Sequence, residues 1–249
     1  FIIKFMIYAK KITKLYDTFF KIPDNQIEFI SDFLKTRQNP ARILDIECGT
    51  AQAGTLLAEQ GHDLTAIDTH KDFIVYLNKK YKKMKSNCHF YNLGTMDVAR
   101  FLKRESYDIA LCVNSRLLFI SDKILFTKFL FDTKIMLAPG GIFVIDIANF
   151  NKVNFGAEKI SLPTRESMAN SLSVSLTRGS LNYSLNVTMT KSRNKEVTII
   201  DNEPSYPFTK QTIETAANDV RYSSIEFFSD YRGTPFTENA ERLICVLHK

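Results

Sequence analysis

Leu44-Asp45-Ile46-Glu47-Cys48-Gly49-Thr50 is the stretch of sequence that decides the fold. An apolar run from 42 to 46 leads into a short loop with a glycine, and helical spacing of apolar residues follows from residue 50. A strand that turns sharply into a helix at small residues lets a nucleoside approach the backbone, and the first N–H groups of the helix face the ligand. The stretch therefore predicts the first strand, loop and helix of a nucleoside-binding α/β fold.

Outward from that loop, short apolar runs alternate with longer helical patterns, which is typical of βα units and a parallel sheet. One or two further helices are predicted between residues 11 and 37, ahead of the first strand. Further strands are predicted at 63–68, 88–92, 108–113 and 142–147, and helices at about 50–60, 71–84, 96–104 and 122–137.

The pattern changes after residue 150. Apolar residues alternate with polar ones over 172–176, a turn is available at Arg178-Gly179-Ser180, and the alternation resumes over 181–189, which predicts an antiparallel hairpin. A third strand is predicted at 197–200. The chain then ends in a predicted helix at 209–217 and two predicted strands at 223–228 and 243–248.

Three further features support a nucleoside site in the first part of the chain. Asp68 ends the second predicted strand, where a carboxylate accepts both ribose hydroxyls of a nucleoside. Tyr107-Asp108 opens the fourth strand, and Leu137-Ala138-Pro139-Gly140-Gly141 gives a stop and a tight turn before the fifth. A dehydrogenase would need Gly-x-Gly-x-x-Gly in the first loop, and only Gly49 and Gly54 are present there.

This combination resembles the class I S-adenosylmethionine-dependent methyltransferases, whose first loop reads Leu-Asp-x-Gly-Cys-Gly-Thr-Gly. The resemblance covers residues 10–150 well and the C-terminal part loosely. Tyr16-Asp17-Thr18-Phe19-Phe20 is similar to the helix that closes over the cofactor in small-molecule N-methyltransferases, including those acting on amino sugars. The fold class implied is α/β: a Rossmann-like, seven-stranded, mostly parallel sheet with helices on both faces and an antiparallel β insertion after strand five.

The resemblance also implies an organisation and a set of ligands. Residues 1–150 would hold the N-terminal helices and the cofactor-binding core, 151–206 the insertion, serving as a lid or homodimer surface, and 207–249 the closing helix and strands. S-adenosylmethionine is the implied cofactor, a small molecule with an amine or hydroxyl the implied methyl acceptor, and no metal is implied. No catalytic residue is identified, and the residues expected at the cofactor are Tyr16, Asp45, Glu47, Gly49, Ala51, Asp68, Thr69, Thr95, Met96 and Asn114.

The loop departs from the family pattern at two glycine positions, which hold Glu47 and Ala51. A Glu47 carboxylate pointing into the site would lie near the methionine carboxylate of the cofactor, and two like charges about 4 Å apart cost roughly 4 kcal/mol at an effective dielectric of 20. A rotated Glu47 would instead pair with the ammonium or sulfonium. Gly94 also stands where relatives usually carry an aspartate for the adenine. A non-catalytic protein with weakened cofactor binding is therefore the alternative.

Methyl transfer from a sulfonium depends mainly on placing the acceptor in line with the S–CH3 bond. Ligands of open α/β sheets lie beyond the carboxyl ends of the strands, so residues after strands four and five are expected to face the acceptor. These residues are Asn114, Ser115, Arg116, Asp146 and Asn149.

The net charge of +6 and pI near 9.0 raise a third alternative, an RNA methyltransferase. The densest lysine run, at 79–85, falls at a predicted helix end, where cations suit the helix dipole. Cys112-Val113-Asn114-Ser115-Arg116 replaces the Asn/Asp-Pro-Pro-Tyr motif of base-directed amino methyltransferases, so a nucleic-acid partner is not favoured. Four widely spaced cysteines predict buried thiols in a reducing, cytoplasmic compartment, and residues 1–7 are too short an apolar run for a membrane span.

Overall fold

The computed structural model describes residues 12–37, 40–82, 87–151, 153, 155, 157–167, 169–180, 182–192 and 195–249. Its main sheet has seven strands, in the spatial order third, second, first, fourth, fifth, last and next-to-last along the chain. The first five are parallel and the last strand runs antiparallel to the fifth. The strands are β1 (Arg42–Ile46), β2 (Asp63–Asp68), β3 (Cys88–Asn92), β4 (Tyr107–Cys112), β5 (Leu137–Ala148), β11 (Ser224–Phe228) and β12 (Arg242–His248).

Helices cover both faces of this sheet, because successive residues of each buried strand point to opposite sides. On one face, Leu44 of β1 shares a core with Phe126 and Ile213, and on the other Ile43 shares a core with Ile30 and Leu57. The predicted fold class is therefore confirmed. The helices are α1 (Tyr16–Phe19), α2 (Gln26–Leu34), α3 (Gln52–Glu59), α4 (Lys71–Lys80), α5 (Val98–Phe101), α6 (Lys123–Met136) and α7 (Lys210–Asp219).

A second, antiparallel sheet follows β5 and packs its apolar face on the core that contains Leu44. Ser205, its last residue, donates a hydrogen bond of 2.6 Å to the carbonyl of Leu118, in the segment after β4. The insertion therefore covers the carboxyl ends of the parallel strands. Its strands are β6 (Lys159–Ser161), β7 (Arg165–Glu166), β8 (Asn170–Arg178), β9 (Tyr183–Lys191) and β10 (Lys195–Ser205).

The segment predicted as a turn before the fifth strand belongs to β5 itself. Tyr107 pairs with Leu137 and Ile109 with Ile142, so the Pro139-Gly140-Gly141 segment lies inside the strand as a bulge. Gly140 has a φ of 68°, which suits glycine. The strand thus starts five residues earlier than its apolar pattern indicated, because a bulge interrupts that pattern without ending the pairing.

All four cysteines are free thiols, and three of them are buried. In the part of the chain that the structure describes, no helix is both long and apolar enough to cross a membrane.

Candidate cofactor and acceptor sites

The loop after β1 keeps the backbone of a glycine loop at positions where glycine is missing. Glu47, Gly49 and Ala51 have φ values of 53°, 57° and 51°, so alternate residues adopt the left-handed conformation. Glycine adopts it freely, whereas other residues pay roughly 1–2 kcal/mol. These are the three positions that the resemblance assigns to family glycines. Contacts with the surrounding structure must therefore stabilise the left-handed backbone conformation of Glu47.

The side chain of Glu47 is buried and bonded to its own chain. Its Oε1 accepts hydrogen bonds from Thr69 Oγ1 at 2.7 Å and Thr95 Oγ1 at 2.5 Å. Arg116 contacts it twice: Nη2 lies 3.2 Å from Oε2, and Nε donates to the Glu47 carbonyl at 2.9 Å. These four contacts fix both the carboxylate and the strained backbone of Glu47.

Asp68, at the end of β2, is also fully engaged and has no exposed surface. Its Oδ2 accepts from the Gly49 N–H at 2.8 Å and from Arg116 Nη2 at 2.9 Å. Its Oδ1 accepts from the His70 N–H at 2.7 Å and lies 2.9 Å from His70 Nδ1. A carboxylate has about four lone-pair positions, so none is left here for ribose hydroxyls.

The buried environment shifts the pKa values of Glu47 and Asp68 in opposite directions. Burial raises the pKa of Glu47, and the neighbouring charge of Asp68 raises it further. Burial also acts to raise the pKa of Asp68, but Arg116 and His70 outweigh it, and the pKa is lowered. Asp68 is therefore the firmly ionised member of the pair. Ligand atoms of Glu47, Asp68 and His70 lie within 4.8 Å of one another, yet the Arg116 guanidinium already serves both carboxylates as their cation.

Arg116 is enclosed by aromatic rings. Its guanidinium carbon lies 4.5 Å from the centroid of Phe119 and 5.8 Å from that of Phe73, and the side chain is buried. Planar guanidinium groups favour such positions beside ring faces. The ion pair is thus shielded from water, which strengthens it.

Helix α1 closes on the loop from the other side. A Cβ built on Gly49 would lie 2.9 Å from Cζ of Tyr16, so the tyrosine ring covers the glycine directly. Thr50 Oγ1 donates to Asp17 Oδ1 at 2.5 Å, and Gln52 Nε2 donates to the Phe20 carbonyl at 2.8 Å. The helix therefore lies against the surface that a nucleoside would approach.

These contacts decide whether S-adenosylmethionine fits. The types of donor and acceptor are suitable, with an N–H at Gly49 and a carboxylate at Asp68. The arrangement is not, because Asp68 has no acceptor position left and Tyr16 lies on the loop. As arranged, the residues present do not accommodate the cofactor.

The other residues expected at the cofactor lie outside this network. Asp45 lies beneath the loop, where a Cβ on Gly54 would be 2.9 Å from its Oδ2, and burial raises its pKa to about 7. Ala51 is buried at the start of α3. The Met96 carbonyl accepts a hydrogen bond from Lys128, and Asn114 lines a separate cavity.

A cavity of about 220 Å³ lies between the carboxyl ends of β4 and β5 and the inner face of the second sheet. Asn114, Ser115 and Arg116, which follow β4 and were expected to face the acceptor, line this cavity. Arg165, Glu241 and Arg242 also line it. The other walls are mainly apolar, formed by Tyr16, Phe20, Leu118, Phe119, Ala148, Leu162, Pro163, Thr164, Val174, Leu185, Val187 and Ile200.

Asp146 and Asn149, which were also expected to face the acceptor, brace the strand ends instead. Asp146 Oδ2 lies 2.6 Å from Nη1 of Arg242. Asn149 Nδ2 donates to the carbonyls of Glu238 and Ala240 at 3.0 and 2.8 Å. Both side chains are buried: Asp146 joins β5 to the first residue of β12, and Asn149 binds the segment before β12.

The sequence predicts Arg116 at the acceptor and does not include it among the residues at the cofactor. His70 is also missing from the residues predicted at the cofactor. The available signal was Glu47 itself. An acidic residue in a buried glycine loop needs a cation nearby, and Arg116 is the arginine that follows β4, the strand next to β1.

Comparison with known proteins finds a family that is similar to part of the chain. Residues 43–141 match the family described as a methyltransferase domain. No curated protein matches the sequence.

Solved structures resemble the chain along nearly its whole length. The CcbJ methyltransferase of Streptomyces caelestis superposes with a TM-score of 0.77 at 14% identity, covering 98% of both chains. The S-adenosylmethionine-bound amino pentose methyltransferase CalS10 of Micromonospora echinaspora gives 0.63 at 12%, covering 90% of this chain and 91% of its own. The sugar N-methyltransferase KedS8 of a Streptoalloteichus species gives 0.62 at 14%, covering 94% and 93%.

At identities this low the superpositions demonstrate a common fold, and the family match covers residues 43–141, less than half of the chain. The chain therefore has the fold of S-adenosylmethionine-dependent methyltransferases, sugar N-methyltransferases among them, and its residues 43–141 are similar to the methyltransferase-domain family.

Proposed function

We propose that the protein is an S-adenosylmethionine-dependent methyltransferase that acts on a small molecule at an amine or hydroxyl. The observation that carries the proposal is the cavity between the ends of β4 and β5 and the second sheet. Ligands of open α/β sheets bind at this edge. Structures with the same fold include an amino pentose methyltransferase and a sugar N-methyltransferase.

The lining of the cavity supports a small acceptor with an apolar body. Most of the wall from the insertion is aliphatic, and the polar groups of Asn114 and Ser115 lie at the strand ends. Its volume of about 220 Å³ lies below the roughly 300–1,000 Å³ of sites for drug-sized ligands. An amine acceptor must lose its proton before it reacts, and an apolar wall favours the neutral form.

A second candidate function is binding without catalysis. The network of Glu47, Arg116 and Asp68 favours it, because these residues fill one another's hydrogen-bonding positions where the cofactor would lie. In that case the cavity would hold its ligand without modifying it.

Isotope-labelled S-adenosylmethionine separates the two candidates. We would incubate the full chain with methyl-labelled cofactor and a panel of small amines and alcohols, amino sugars included, and identify products by mass spectrometry. The proposal expects label on at least one small molecule. Cofactor binding by calorimetry with no labelled product from the panel would support binding without catalysis. Label on added RNA with none on small molecules would contradict the proposed acceptor class.

A further inference from the structure

We propose that Arg116 is an internal occupant of the nucleoside site, held there by Glu47, and that a nucleoside binds only when the guanidinium leaves Asp68. The inference deepens the proposed function, since it rests on that function for the identity of the site. It assigns to two residues of this chain the roles of competitor and anchor.

The hydrogen bonds of Asp68 show why displacement is necessary. Four donor atoms, two of them backbone nitrogens, surround its two oxygens at 2.7–2.9 Å. The Gly49 and His70 N–H groups are fixed by the backbone, and the His70 imidazole belongs to a short side chain just after β2 that is fully buried. Arg116 is the donor on a long side chain that reaches Asp68 from another strand end, so it is the one that a ribose can replace.

Glu47 explains why the guanidinium stays. Its carboxylate and its carbonyl each bind Arg116, and two threonine hydroxyls orient the carboxylate. A glycine at this position would keep the carbonyl and remove the carboxylate. The left-handed backbone of Glu47 indicates that these contacts compensate for the strain.

Charge defines the class of ligand that can take the place of Arg116. The buried cluster contains two carboxylates, the guanidinium that contacts both of them, and the imidazole of His70 beside Asp68. Removal of the guanidinium takes away the cation that the two carboxylates share, which is unfavourable in a buried site. A nucleoside that carries an ammonium or sulfonium supplies a new cation, whereas adenosine does not. We therefore expect a cationic nucleoside to displace Arg116 more readily than a neutral one.

The test measures binding of S-adenosylhomocysteine by calorimetry to the wild type, to Glu47→Gly and to Glu47→Gly/Arg116→Gln. A ligand that needs a minor state loses affinity in proportion to the population of that state. We expect the single variant to bind more tightly than the wild type, and the double variant at least tenfold more tightly. The matched control is Glu105→Gly/Arg100→Gln, which makes the same exchanges at exposed positions and also relieves a positive φ, 52° at Glu105.

A second readout follows Arg116 directly. A buried Nε–H that is bonded to a carbonyl exchanges slowly and gives its own NMR signal. We expect this signal in the free wild type and its loss or shift at saturating S-adenosylmethionine, with little change at the same concentration of adenosine.

Each outcome bears on the inference. Equal affinity of wild type and double variant, or an Arg116 signal unchanged at saturation, would overturn it and leave the proposed function standing. Absence of binding at millimolar ligand to wild type and both site variants would overturn the inference and the cofactor of the proposed function together.

Discussion

Nη2 of Arg116 lies 2.9 Å from Oδ2 of Asp68 and 3.2 Å from Oε2 of Glu47, so one guanidinium serves two buried carboxylates. The three residues follow or end three neighbouring strands, β4, β2 and β1. The ion pairs therefore tie together the edge of the sheet at which this fold binds its ligand.

The first prediction concerns the stability of this network. Arg116→Gln leaves two buried carboxylates without their cation, and we expect a loss of about 3–5 kcal/mol in the free energy of unfolding. Glu47→Gly should cost less, because it also relieves the left-handed backbone. The double variant should be more stable than the sum of the single changes implies, by at least 1 kcal/mol, in urea unfolding. Additive losses would show that Glu47 and Arg116 are not coupled.

The second prediction concerns pH. Burial raises the pKa of Asp45 to about 7, well above its unfolded value near 3.9. The native state therefore binds a proton that the unfolded state has released, and stability falls as pH rises from about 4 to about 7. The contribution changes by about 1.4 kcal/mol per pH unit, to a total of about 4 kcal/mol.

Asp45→Asn removes this titration. The free energy of unfolding of the wild type, measured relative to that of the variant by urea unfolding at each pH, should therefore decrease as pH rises from 5 to 7. Asp108→Asn is the control. Burial acts to raise the pKa of Asp108, but hydrogen bonds from Arg42 outweigh it and the pKa is lowered. The difference in free energy of unfolding between the wild type and Asp108→Asn should therefore stay constant from pH 5 to pH 7. A constant difference for Asp45→Asn would contradict the prediction.

The third prediction tests the packing of α3. A Cβ on Gly54 would lie 2.7 Å from Leu64 Cδ1 and 2.9 Å from Asp45 Oδ2. Alanine favours a helix by about 1 kcal/mol over glycine, but overpacking costs about 1–3 kcal/mol, so we expect Gly54→Ala to lower the melting temperature. A raised melting temperature would mean that α3 and β2 have room to separate.

The fourth prediction tests the acceptor cavity. Val174 of β8 lines it, whereas the adjacent Ser173 is exposed on the opposite face of the strand. Val174→Phe should fill the cavity and abolish methylation of the small molecule identified with labelled cofactor, with cofactor binding unchanged. Ser173→Phe should leave both methylation of the small molecule and cofactor binding unchanged. Equal activity of the two variants would place the acceptor elsewhere.

The sequence was sufficient to predict most of the fold. The bounds of β1, β2 and β3 follow directly from short apolar runs between helical patterns, and the second of these runs places Asp68 at the end of β2. The alternation after residue 150 indicated the antiparallel insertion. β5 was the exception, since the bulge at 139–141 resembles a turn in the sequence.

The network at the site was less accessible to sequence reasoning. The sequence shows Glu47 as a departure from the loop pattern. The two orientations considered for its side chain both pointed to the cofactor, one toward the methionine carboxylate and one toward the ammonium or sulfonium. The structure gives a third orientation, toward Arg116. Local pattern could not supply it, because the pair joins side chains far apart in sequence, and its geometry depends on how β1 and β4 lie side by side.

A crystal structure of the wild-type protein soaked with S-adenosylhomocysteine tests the central claim most directly, through the distance from Arg116 Nη2 to Asp68 Oδ2. We predict that ribose hydroxyls bind Asp68 and that this distance grows from 2.9 Å to beyond hydrogen-bonding reach, about 3.5 Å. A bound nucleoside with Arg116 still 2.9 Å from Asp68 would contradict the account.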